Sequence, residues 1–62
     1  MKYQYRVCKL KQEVRNPDLI VKGSKAVILS EPDSDNRVRI SKFGDFKTTG
    51  FCGVDNLIIG EK

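Results

Sequence analysis

Apolar and polar positions over residues 26–40 predict a strand, a turn and a second strand. Ala26-Val27-Ile28-Leu29 is a continuous apolar run, and Arg37-Val38-Arg39-Ile40 alternates. Alternation puts one set of side chains on a wet face and the other on a dry one. A run with no polar face predicts a strand covered on both sides. Between the two lies Ser30-Glu31-Pro32-Asp33-Ser34-Asp35-Asn36. Pro32 fixes its own φ there, and the short polar side chains can hydrogen-bond their own backbone, which makes a turn.

Residues 2–14 also alternate, but the phase changes. Tyr3, Tyr5 and Val7 share one parity, and Cys8, Leu10 and Val14 the other. This predicts either one strand bulged near Val7-Cys8 or two short strands meeting there. A helix over residues 9–15 satisfies propensity alone, but it would be isolated and too short to stand without packing. Asn16-Pro17-Asp18 predicts a turn. Leu19-Ile20-Val21 is a short apolar run, and Lys22-Gly23 after it suits a positive φ.

Beyond the hairpin, Lys42-Phe43-Gly44-Asp45-Phe46 predicts a tight turn with Gly44 at its tip. Residues 47–54 read as a strand in which Gly50 and Gly53 mark a bulge or a close backbone approach. Asp55-Asn56 predicts a turn or one helical turn. Leu57-Ile58-Ile59 is a last strand, after which residues 60–62 fray. The pattern predicts an all-β fold of five to six short antiparallel strands, without a helix or a repeat. Strands so short and so closely spaced favour a small closed or nearly closed barrel, which also removes edge strands.

Length narrows the function classes. The chain has 62 residues, enough for one domain. A domain of that size buries only about 60% of its unfolded surface, leaving no room for a deeply walled pocket. We therefore expect binding on a face. No apolar run reaches the roughly eighteen residues of a membrane span, and the start lacks an apolar signal segment. A soluble, cytoplasmic protein is expected. With two cysteines, Cys8 and Cys52, and no histidine, reduced thiols are expected rather than a disulfide. A zinc site is not expected, since it wants four ligands and histidine is absent. No nucleophile–base pair is legible. Glu31, Asp33 and Asp35 lack the glycine and distal glutamate of a calcium loop. No enzyme activity, metal or cofactor is predicted.

Charge changes the picture more. The net charge is +4, and it is uneven. Through Lys25 there are seven basic and two acidic residues; from Ala26 onward there are five and six. A basic N-terminal third points to an acidic partner, or to a solvated face that keeps a small protein soluble.

Three passages resemble Src-homology-3-like (SH3-like) barrels. Asp18-Leu19-Ile20-Val21-Lys22-Gly23 resembles the end of that family's long first loop. Ala26-Val27-Ile28-Leu29 resembles its second strand, and Gly50-Phe51-Cys52-Gly53-Val54-Asp55-Asn56-Leu57-Ile58 its ending. The resemblance spans most of the chain and implies a small barrel, whose activity it leaves open. The family grips polyproline with aromatics. Here the two first-strand tyrosines of that groove fall near Lys9 and Lys11. Its tryptophan falls near Asn36 or Arg37, its proline at Val54 and its last tyrosine at Leu57. Polyproline binding is therefore not expected.

Two binding hypotheses follow. In the first, the barrel is a regulatory or accessory module that binds an acidic protein surface. Its candidates are Tyr3, Tyr5, Lys9, Lys11, Arg37, Arg39 and Phe46, with exposed aromatics and arginines as anchors. In the second, Lys9, Lys11, Arg15, Lys22 and Lys25 neutralise the phosphates of a nucleic acid, and Arg37, Arg39 and Lys42 extend that surface. Tyr3, Tyr5 or Phe46 would then stack on bases. The first is preferred, because the acidic turn at residues 31–35 would repel phosphates if it lay near the basic face. Size and a start at Met1 suggest a free-standing bacterial or phage protein, monomeric or in a small homo-oligomer through an open barrel edge.

Overall fold

The computed structural model describes residues 3–15 and 18–60. Five antiparallel strands form one sheet: β1 (Val7–Leu10), β2 (Lys25–Ile28), β3 (Arg37–Lys42), β4 (Asp45–Gly53) and β5 (Leu57–Ile59). A single 3-10 turn, Val54–Asn56, connects β4 to β5. The strand order is β4-β3-β2-β1-β5. A closed or nearly closed barrel was expected; no ladder joins β4 to β5 among the described residues, so the hydrogen-bonded sheet stays open. The turn expected at Asn16-Pro17 and the fraying expected at Glu61-Lys62 lie outside the described residues.

The hairpin forms as its pattern dictates. Ala26 opposes Lys42, Val27 opposes Ser41 and Ile28 opposes Ile40. Asp33 organises the turn: its carboxylate accepts from the Asp35 and Arg37 backbone N–H groups. Asn36 completes it at φ 63, a region that asparagine tolerates better than most residues. Ala26, Val27 and Ile28 are all buried, so β2 is covered on both faces. The β3–β4 connection is the two-residue turn Phe43-Gly44, with Gly44 at φ 84.

The core lies on one side of the sheet. Cys8, Leu10, Ala26, Ile28, Val38, Ile40, Cys52 and Leu57 line it, and Val14 and Ile20 of the long β1–β2 connection close it over. Burying an aliphatic side chain of this size contributes about 1.5–3 kcal/mol. Val14 and Ile20 form an isolated antiparallel bridge with both backbone hydrogen bonds. A Cβ on Gly50 would lie 2.8 Å from Val14 Cγ1 and 3.2 Å from Ile20 Cδ1. That is the close approach expected of a glycine within this strand.

The start of the chain departs from its pattern. Neither a bulge nor a strand junction sits at Val7-Cys8; the break is at Tyr5, whose φ is 68. Tyr3 and Tyr5 are therefore not strand residues. The Glu31 carboxylate holds this segment, accepting from the backbone N–H of Tyr3 at 3.1 Å and of Gln4 at 2.7 Å. The Tyr5 N–H donates to the Ile28 carbonyl at 2.6 Å. The helix that propensity allowed over residues 9–15 does not form, because Val7–Leu10 is taken into the sheet between β2 and β5.

Candidate functional site

Register decides which basic residues meet. Lys9 of β1 sits directly opposite Lys25 of β2. On its other side Lys9 faces Ile58 of β5. Each of these residues alternates with core positions, so all three point away from the core. The Lys25 Nζ lies 5.2 Å from the centroid of the Phe43 ring. A shallow groove of about 330 Å³ runs here, lined by Val7, Cys8, Lys9, Lys25, Ile58 and Gly60. Two like charges in a direct cross-strand pair destabilise a sheet by a fraction of a kcal/mol. Neither lysine has a carboxylate within ion-pair distance among the described residues.

A second basic group stands across the sheet. Arg37 and Arg39 project from the wet face of β3. Arg39 faces Phe51 of β4, and the Arg37 guanidinium lies over the Phe51 ring, 4.4 Å from its centroid. Such a cation–ring contact contributes about 0.5–1 kcal/mol at an exposed site. Among the described residues, the outward strand positions that carry these four cations carry no Asp or Glu. The carboxylates are in connections and at the edge: Glu31 holds the N-terminal segment, Asp33 the hairpin turn, and Asp18 bonds Thr49.

The remaining candidates scatter. Tyr3 is half-buried and packs against the core, which takes it out of the role of an exposed anchor. Tyr5 is 70% exposed and Phe46 is 65% exposed. Lys11 follows β1, where its N–H donates to the Asn56 carbonyl. Arg15 is paired with Glu13, so its charge is already met. Lys22 is exposed in the turn before β2. The structure thus groups Lys9 with Lys25 and Arg37 with Arg39, and leaves the others apart. Phe51 and Ile58 were not among the residues singled out from the sequence. Strand parity carried the signal for both: Phe51 precedes the buried Cys52, and Ile58 sits between two inward positions.

The thiols sit on the dry side. Burial raises the Cys8 thiol pKa from 9.0 to about 11, and the neighbouring Cys52 adds to the rise. Burial also raises that of Cys52, against smaller lowering effects from the Asn56 hydrogen bond and the Arg37 charge. Both cysteines are free and both favour the neutral thiol, which is the unreactive form. No group of three His, Cys, Asp or Glu side chains suited to a metal occurs among the described residues. No helix among them is long and apolar enough to cross a membrane. No protein-family model matches the chain, and neither a curated protein nor a solved structure matches it.

Proposed function

We propose that this chain is a non-enzymatic, SH3-like binding module that docks an acidic protein surface through Lys9, Lys25 and the apolar groove beside them. The observation that carries the reading is the direct Lys9–Lys25 opposition. A fold gains nothing from two unneutralised ammonium groups side by side, and an anionic partner relieves their repulsion. Val7 and Ile58 give the same groove an apolar wall, which suits an aliphatic side chain next to a carboxylate. The strand order and the 3-10 turn before β5 support the SH3-like reading of the fold. Two buried neutral thiols support a non-catalytic role.

A protein partner is preferred over nucleic acid on the state of the two rings that lie against these cations, Phe43 and Phe51. Base stacking needs an open aromatic face. Phe43 has Lys25 over it and Phe51 has Arg37 over it. The double variant Lys9→Glu/Lys25→Glu tests the reading against a Lys22→Glu control, with immobilised protein and cell lysate. The expected result is an acidic protein retained by wild type and control and lost by the double variant, with thermal unfolding unchanged. Equal retention by all three would reduce the lysines to a solubility feature. Binding of a random oligonucleotide that weakens steeply between low and physiological salt would favour phosphates instead.

A further inference from the structure

A different part of the molecule, the outer edge of β4, presents unpaired backbone. The ladder alternates, so only every second β4 residue bonds to β3. Arg39 directs its backbone away from β4: its carbonyl accepts from Leu29 N–H and its N–H donates to Ser30 Oγ. Phe51 opposes Arg39, so the Phe51 N–H and C=O point outward from the sheet. Two residues earlier, Thr49 shares that direction, and there both groups are taken: its N–H donates to Asp18 Oδ2 and its carbonyl accepts from Asp18 N–H. At the other end, Asn56 is stapled to Gln12 through both atoms of its side-chain amide. Between these two staples a slot of about 410 Å³ opens, with residues 12–15 of the β1–β2 connection on one side and Phe51 and Cys52 of β4 on the other.

We propose that this slot accepts an extended acidic peptide that adds to the sheet as a strand beside Phe51. Val14 bonds to Ile20 through both its N–H and its C=O, so the backbone of the flanking Glu13 and Arg15 faces the other way. The Phe51 N–H and C=O border the slot from β4, the donor and acceptor that strand addition uses. The charge selects the peptide. Glu13 and Arg15 neutralise each other, which leaves Arg37 as the slot's unmatched charge among the described residues. A carboxylate on the added strand would meet the Arg37 guanidinium over Phe51. This site is separate from the Lys9–Lys25 groove and stands or falls apart from it.

The test is amide NMR on the full ¹⁵N-labelled chain, titrated with blocked Val-Glu-Val-Glu-Val-Glu. The expected result is that the Phe51 amide moves most and exchanges more slowly. N-methylation of alternate peptide nitrogens removes the backbone bonds and should weaken binding about tenfold. Arg37→Glu should reverse the preference toward the Val-Lys counterpart. Equal binding of the N-methylated peptide would overturn strand addition and needs no variant to fold. Shifts at Lys9 and Lys25 without one at Phe51 would also overturn it, while leaving the basic-groove reading intact. An absence of binding at millimolar peptide would overturn it as well, with the lysate assay still deciding the groove.

Discussion

Gly50 and Val14 touch across the interior, and a methyl group on Gly50 would come within 2.8 Å of Val14 Cγ1. Val14 is branched at Cβ and has few rotamers to retreat into. Gly50→Ala should therefore cost about 1–3 kcal/mol, by the overpacking that such a contact forces. Urea unfolding measures it. A variant as stable as wild type would mean that the β1–β2 connection does not lie on β4.

Ser41 is wholly buried, and its hydroxyl has no hydrogen-bond partner among the described residues. A buried unpaired hydroxyl is a net cost that alanine lacks. Ser41→Ala should raise stability by about 1 kcal/mol in the same assay. A clear loss would show that the hydroxyl is satisfied.

Tyr5 holds a backbone conformation that a bulky side chain resists, at φ 68. Relieving it is worth about 1–2 kcal/mol, of which glycine's extra unfolded freedom takes back about 0.5–1. The ring is mostly exposed, so little burial is lost with it. Tyr5→Gly should match or slightly exceed wild type in thermal unfolding, whereas Tyr5→Val should fall below it. The reverse order would contradict the strained conformation.

Cys8 links stability to alkaline pH. Its thiol titrates near 9.0 when unfolded and is pushed up to about 11 in the fold. Between those values the unfolded chain releases the proton that the folded chain keeps. Stability is therefore full below about pH 9 and falls as pH rises through about 11. The comparison is with Cys8→Ala. That variant should be less stable at neutral pH and should lose stability less steeply above pH 9. Equal slopes would remove Cys8 from the effect.

Local features were legible because local rules govern them. The hairpin of residues 26–40 follows from an apolar run, an alternating run and turn residues between them. Gly23 and Gly44 take positive φ where a turn calls for it. Leu57–Ile59 is the closing strand that its composition indicated. The break at Tyr5 was not legible, because alternation cannot show a break whose cause lies elsewhere. Glu31, distant in sequence, holds Tyr3 and Gln4 off the sheet. The same carboxylate looked like part of a plain polar turn.

The amino-acid order by itself determined an all-β chain, its turns and the uneven spread of its charge, because period-two alternation and turn chemistry act between near neighbours. Only the tertiary structure decided that Lys9 faces Lys25, that Arg37 covers Phe51, and that β4 keeps an unpaired edge at Phe51. Strand order and register join residues far apart along the chain. They are fixed by which apolar faces must share one core, and no stretch of the chain carries that information alone.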